Sequence, residues 1–578
     1  MYDLLITNGT IVDGTGADRR IADVAIADGK IVAVGPNLDG PARETIDADG
    51  LLVTPGFVDV HTHYDGQATW DEVLEPTSLH GVTTLVMGNC GVGFAPVRPG
   101  AEEWLIQLME GVEDIPGAAL SEGISWGWET FPEYLDVLDQ HQWSIDIGTQ
   151  VAHGAIRAYV MGERGAKNEP ASPEEIAEME AIVRESIQSG ALGVSTSRTV
   201  AHRAMDGEPV PGTFAAEDEL FALGRGLRDG GGGVFELAPA GAAGLDVIAP
   251  MKEIEWMTRL SAETGQPVSF AMLQVPAAPD LWREQMEASL AANEAGAKLF
   301  PQVAGRPFGV LVGWDTGHPF LLRPSYQKIA ALPIAERIVE LRRPEVREAI
   351  LAEEDGPGTG RLIEGMARLA AGMLDSIFVL GDPPDYEPTP DRSLAGLAAA
   401  AGVSPQQAAY DAFCAEDGRA LLMLPLYNYV DGNHDVIREQ LTHPQAVVGL
   451  SDGGAHCGII CDASLPTTML SHWARDRQRG EQLPLEWVVQ KQTHDTARLF
   501  GMSDRGTIEV GMRADVNVID FDRLNLQTPE LVHDLPAGGS RLVQRSVGYV
   551  ATVVAGEVTR REGVDTGARP GRLVRGRR

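Results

Sequence analysis

The chain has 578 residues, enough for one large domain with a smaller one beside it, and its 44% hydrophobic content supports a sizeable core. Acidic residues outnumber basic ones, 83 against 46, for a net charge of −37. That balance argues for solubility and against nucleic acid or an anionic membrane surface as the main partner. Four cysteines make no disulfide framework in a chain this size, MYDLLITNGT has neither the basic nor the apolar region of a signal peptide, and no apolar run approaches about 18 residues. A cytoplasmic location without a membrane span is the expectation.

Residues 1–53 read as a small antiparallel sheet. Short β-rich runs flank Asn8-Gly9 and Asp28-Gly29, and both dipeptides are hairpin signals. Residues 54–60 follow as a short buried strand behind Thr54-Pro55-Gly56, and His61 and His63 close it. Side chains two apart on a strand share a face, so both imidazoles converge at its C-terminal end, a geometry that suits a metal ion. Further β-rich runs lie at 82–87, 145–152, 191–196, 233–237, 267–273, 297–303 and 446–452. Stretches of helical character separate them; the one at 173–189 opens with Ser172 to cap, Pro173 in the first turn and Glu174-Glu175 at the positive end.

Eight strand–helix units predict an α/β fold, a closed (β/α)8 TIM-like barrel over 54–504, with active-site residues at the C-terminal ends of the strands. No Gly-x-Gly-x-x-Gly follows the first strand, which disfavours a doubly wound open sheet. Roughly 140 residues separate the seventh and eighth strands, far beyond an ordinary connection. This segment, about 305–445, is Pro-rich in places and helical at 333–354 and 404–416. It reads either as a lid over the barrel mouth or as an oligomer contact. From about 505 strands return, at 506–512, 514–520 and 549–554, so a small β-sandwich domain is expected from both chain ends, 1–53 and 505–578. The basic stretch 569–578 reads as a solvated tail.

The motifs Pro55-Gly56-Phe57-Val58-Asp59-Val60-His61-Thr62-His63, Gly81-Val82-Thr83-Thr84, Ser451-Asp452-Gly453 and Gly511-Met512-Arg513-Ala514-Asp515 resemble the amidohydrolase superfamily over essentially the whole chain. Within it, Gly88-Asn89-Cys90-Gly91 and Gly190-Ala191-Leu192-Gly193-Val194-Ser195-Thr196 are similar to the D-aminoacylase (N-acyl-D-amino-acid deacylase) family. The resemblance implies that His61 and His63 hold a zinc ion, that Cys90 is a ligand, bridging where two metals bind, and that Asp452 at the end of the last strand is both the catalytic acid–base and a metal ligand. Many relatives bridge two metals with a carboxylated lysine instead. No lysine ends the second to sixth strands here, and a thiolate binds zinc well. The family pattern also places histidines at the ends of the fifth and sixth strands, where this chain has none. One zinc is therefore expected and a second left open, with Glu236 as its candidate carboxylate ligand.

The implied reaction is hydrolysis of a linear amide in a small N-acyl amino acid. The substrate carboxylate calls for a cationic partner, with Arg198 the first candidate and Arg203 and Arg306 behind it. His153 and His456 are candidates for hydrogen bonding to substrate, and Cys457 and Cys461 read as packing residues. A cyclic amidase of hydantoinase or dihydropyrimidinase type and a non-catalytic scaffold of the same fold are the alternatives, and a homo-oligomer is left open.

Overall fold

The computed structural model describes residues 1–358 and 362–576. Its centre is a set of parallel strands, β1 (Phe57–Asp59), β2 (Val82–Met87), β3 (Asp146–Thr149, continued by Val151–Ala152), β4 (Gly193–Ser197), β5 (Val234–Ala238), β6 (Val268–Ala271), β7 (Leu299–Val303) and β8 (Val447–Val448). Each pairs in parallel with the next in chain order. Just beyond β1 and β8, Thr62 and Gly453 form a further parallel bridge, which brings the last strand end back to the first. Nearly every residue of these strands is buried, as expected of parallel strands covered on both faces. Helices connect them. The one at Pro173–Ser189 carries the reciprocal Ser172–Glu175 capping box and ends at Gly190 with φ +118°, so its start and stop follow local chemistry.

A nine-stranded sheet joins strands from the first 55 residues to strands from 516 onward. Leu52–Pro55 is the seam, parallel to Tyr2–Ile11 on one side and antiparallel to Val516–Ile519 on the other. Asp28-Gly29 forms a hairpin turn, with Ala27 paired to Lys30. Asn8-Gly9 does not. Tyr2–Ile11 runs straight through it as one strand with a bulge against Arg20–Ala27. Asn8 takes φ +60° there, and a Cβ on Gly9 would stand 2.4 Å from Val53, so the dipeptide serves a bulge and a close approach. The run 506–512 is also not a strand. Ile508 donates to Asp13 O and the segment passes as a loop.

The stretch 305–445 has its own apolar core, centred on Trp314, Tyr326, Tyr410 and Phe413. Its three antiparallel strands are Phe308–Val312, Phe378–Val379 and Leu422–Tyr427. The C-terminal stretch is not a free tail over its described residues. Gly571 bridges to Trp143 just before β3 and Leu573 to Ile147 within it, and Arg575 donates to Ser189 O. Backbone pairing outweighs the solvation that its charges favour; Arg577 and Arg578 lie outside the described residues.

Candidate metal centre

His61 and His63 leave the end of β1, Cys90 the end of β2, and Asp452 the end of β8. His61 Nε2 lies 3.4 Å from Cys90 Sγ and 3.2 Å from Asp452 Oδ1, and His63 Nε2 lies 3.6 Å from the same oxygen. His61 Nδ1 donates to Gln302 Oε1 at 2.8 Å, while the Gln302 amide donates to Ser269 Oγ. That chain fixes the tautomer and turns the His61 Nε2 lone pair toward Cys90 and Asp452. Cys90 and Asp452 hold left-handed backbones, φ +54° and +48°, as does Leu450 at +60°. Such a conformation costs a non-glycine residue about 1–3 kcal/mol. Here it aims side chains from neighbouring strand ends at one point. Ser451 Oγ, next to Asp452, donates to Asp59 Oδ2 at 2.6 Å and ties that loop to β1.

Two more carboxylates close the site. Glu236 on β5 accepts from the Cys90 amide at 3.0 Å and places Oε1 3.8 Å from His61 Nδ1. Glu113, the last residue of the helix Glu102–Glu113, sets Oε1 3.4 Å from His63 Nδ1 and Oε2 3.6 Å from His456 Nε2. Burial pulls His61 down to about 4 and His63 to about 3, leaving both neutral. Burial, with the charge of Asp452, pushes Glu236 up to about 8. Burial and the surrounding carboxylates push the Cys90 thiol and Glu113 well above their ordinary values. An acidic crowd of this kind is what a divalent cation relieves.

The donor set fits zinc. Both ring nitrogens of His63, Glu113 Oε1 and Glu236 Oε1 are buried without a hydrogen-bond partner. Unsatisfied buried polar atoms are costly, and this many beside His61, Cys90 and Asp452 indicate a group that they receive. The ligand atoms of His61, His63 and Cys90 all lie within 4.8 Å of one another, close enough for one zinc ion with N and S ligands, and Asp452 Oδ1 stands 3.2 and 3.6 Å from the two imidazoles. A second histidine–carboxylate cluster, Glu387, His434 and His472, differs. His434 spends its ring nitrogens on Tyr386 O and His472, and Glu387 spends both oxygens on Arg477. That network is complete as a tie between the 305–445 segment and the helix Met469–Asp476.

A cavity of about 180 Å³ opens above the site. His61, His63, Cys90, Glu113, Asp452 and His456 form its floor, and Phe308 and Tyr427 of the 305–445 segment stand in its wall. His456 therefore reaches the cavity; four other sequence candidates do not. His153 starts the helix His153–Met161 and is fully buried between Thr196 Oγ1 and Glu219 Oε1, 2.8 Å from each. Arg198 donates to the carbonyls of Thr213 and Ala215 and lies 3.5 Å from Glu253. Arg306 is buried against Asp462 and stacked on Tyr386, 3.9 Å from its ring centre. Arg203, the remaining arginine candidate, is exposed and donates to Gly207 O. In each case a nearby acid or loop carbonyl engages the side chain away from the cavity.

Sequence reasoning missed Glu113, Gln302 and His202. Gln302 ends β7, the position the barrel rule marks as functional, and was open to the same reading as Glu236. His202 lines the cavity from the loop after β4, and Glu113 closes an amphipathic helix; neither carries a local signal.

These features define a metal-dependent hydrolase architecture with its site at the strand ends. The chain belongs to the amidohydrolase family, whose sequence profile matches residues 44–560. Within that family it groups with the D-aminoacylases. It is 26% identical over 578 residues to a D-aminoacylase of Alcaligenes xylosoxydans xylosoxydans, covering 99% of this chain and 97% of that one. It is 28% identical over 526 residues to an N-acyl-D-glutamate deacylase of the same organism, covering 90% and 88%. In fold it is similar to the N-acyl-D-glutamate deacylase of Bordetella bronchiseptica, solved with zinc and a phosphonate inhibitor that mimics the tetrahedral intermediate. The TM-score is 0.64 at 23% identity, covering 99% of both chains.

Proposed function

We propose that this chain is a zinc-dependent amidohydrolase that removes the acyl group from N-acyl-D-amino acids. The carrying observation is the cluster of His61, His63 and Cys90 within 4.8 Å of one another at the ends of β1 and β2, with Asp452 at the end of β8 3.2 and 3.6 Å from the two imidazoles. Likeness to deacylases along the whole chain supports the substrate class. The pairing order supports a closed (β/α)8 barrel, the nine-stranded sheet supports one small domain from both chain ends, and Phe308 and Tyr427 in the cavity wall support the 305–445 segment as a lid.

His61, His63 and Cys90 would hold the zinc, and Glu236 and Glu113 would complete a second position if two ions bind. Zinc, when bound, supplies a Lewis acid and lowers the pKa of its water from about 15.7 to about 7. Asp452 Oδ1, beside both imidazoles, takes the proton of the attacking water and returns it to the departing amine, which leaves poorly as an anion. His456, on the same floor, orients the scissile amide. Gln302 holds His61 in its ligating tautomer. Among the described residues no lysine lines this site, which favours a linear amidase over a lysine-bridged cyclic one.

Acetate release from N-acetyl-D-methionine and N-acetyl-L-methionine, before and after dialysis against a chelator, tests the proposal. The D-compound should be preferred by about 10²-fold or more, with turnover lost on chelation and restored by zinc. Equal turnover of both enantiomers would sink the stereochemical assignment, and full activity without metal would sink the mechanism.

A further inference from the structure

The tie at Glu387, His434 and His472 joins three separate stretches of chain. Glu387 and His434 belong to the 305–445 segment, and His472 lies on the helix Met469–Asp476 that follows β8. The Glu387 and His434 side chains are buried, while His472 is 20% exposed. A cavity of about 440 Å³ opens there on His472 and Glu387. None of the three residues lines the cavity at the strand ends.

Without an ion the tie is closed, and one proton closes it. His434 Nε2 faces Tyr386 O at 2.8 Å and so carries a hydrogen, which leaves Nδ1 of the neutral ring as a lone pair. His472 Nε2, 3.0 Å away, then donates to it. The other neutral tautomer of His472 carries that proton on Nδ1 instead. In that form His434 Nδ1, His472 Nε2 and Glu387 Oε2 present three lone pairs to one point, with no proton gained or lost by the protein. The three atoms stand 3.0, 3.3 and 3.9 Å apart, around the roughly 3.4 Å that bonds of about 2.1 Å at tetrahedral angles set between zinc ligands.

The surroundings hold these atoms in place. Tyr386 O fixes the His434 ring through its other nitrogen, the arrangement that orients metal-binding imidazoles. The His434 amide donates to Glu387 Oε1 at 2.7 Å and steadies the carboxylate. Arg477 bonds both oxygens of that carboxylate, but it is shared with Asp435 at 2.6 Å, so two acids answer one guanidinium. The helix itself is wound wide, with Arg477 N donating to His472 O five residues back. Residues five apart on an α-helix point about 140° from each other. The π-helical turn sets His472 and Arg477 on one side, where both meet Glu387. Such turns are rare and frequently mark functional sites.

We propose that Glu387, His434 and His472 form an exchangeable zinc site, separate from the centre at the strand ends, that fastens the 305–445 segment to the helix after β8. Two imidazoles and a carboxylate suit zinc, and the cavity side is left for water as the fourth ligand. An ion here competes with a hydrogen bond already formed, whereas the ring nitrogens of His63 wait unpaired. This site is therefore the weaker of the two and empties first as free zinc falls.

Equilibrium dialysis of the full chain against zinc chloride, with metal counted per chain, tests this on the parent and on His472→Gln. Glutamine keeps an N–H donor for His434 but has no imidazole lone pair. The parent should hold about one zinc more than the variant. Zinc should also raise the melting midpoint of the parent further than that of the variant. Glu387→Gln keeps the size of the side chain, should lose the same ion, and serves if His472→Gln does not fold. Equal zinc counts in the parent and a folded variant overturn the site. A lost ion with an unchanged melting response to zinc overturns the fastening role. Both results leave the deacylase reading intact, because no ligand of this site belongs to the catalytic cavity.

Discussion

Asp452 is the residue on which the chemistry turns, and its setting says how to probe it. Oδ1 faces His61 and His63 together, while the backbone at φ +48° is held by the hydrogen bond from its amide to His61 O and by the Ser451–Asp59 tie. Asparagine keeps the shape and tolerates the left-handed backbone but cannot take a proton. Asp452→Asn should therefore lower kcat by about 10²–10⁴-fold in a chain whose circular dichroism and melting are unchanged. A loss below about threefold would remove Asp452 from the role of acid–base. The sequence pointed to His61 and His63 because two residues apart at a strand end share a face, and to Cys90 and Asp452 through the motifs that resemble the family. Glu113 was not readable. A glutamate at the end of an amphipathic helix looks like a solvated residue, and only the tertiary fold buries it against His63. Arg198 departs in the other direction: it follows β4, but it donates to the loop carbonyls of Thr213 and Ala215 and does not line the cavity.

At the scale of elements, His153 acquires a different meaning. With Arg157 on the same helix it clamps Glu219, near the start of the helix Glu217–Gly230. Burial alone would raise the Glu219 carboxyl, but the hydrogen bonds and charges of His153 and Arg157 outweigh it and hold it down to about 2. A folded-state pKa below the unfolded value gives stability that is present above the unfolded value and lost as pH falls through the folded one. With an ordinary value of 4.5 and a folded value of about 2, the contribution at neutral pH is on the order of 3 kcal/mol. Glu219→Gln should cost about that much in chemical denaturation near pH 7, and the gap to the parent should close between about pH 4.5 and 2. A gap independent of pH would mean the residue acts by packing alone. The helix and its capping were legible where the signal is local, as at Ser172–Glu175. The Asn8-Gly9 bulge was not, because the dipeptide permits a positive φ without dictating whether a turn or a bulge uses it.

At the scale of the molecule, the two ends of the chain brace the centre they enclose. The strand alternation was legible because burial on both faces writes continuous apolar runs, and so was the return of strands near the end. The path of the last residues was not, because arginines and glycines carry no hydrophobic pattern and their docking is made by the backbone. Asp146, at the start of β3, is the meeting point. It accepts from Arg505 Nη1 at 2.6 Å, from Arg513 Nη2 at 2.8 Å and from the Arg572 amide at 2.8 Å. Asp146 and Arg505 are 1% and 5% exposed, so the pair sits in a low dielectric. Deleting the acid leaves two guanidiniums facing each other with a part of their charge unanswered, and it frees the strap that runs beside β3. Asp146→Ala should therefore lower stability by about 3–5 kcal/mol. Removing 569–578 takes away the backbone bridges, the Arg572 amide hydrogen bond to Asp146 and the largely exposed pairs of Arg569 and Arg575, but leaves Arg505 and Arg513 paired with Asp146, so it should cost less than Asp146→Ala and leave metal content unchanged. Unfolding midpoints of the two variants, with zinc measured on each, check the order. A truncation as damaging as Asp146→Ala would mean that the strap, rather than the Arg505–Asp146 pair, holds the chain end to the strands.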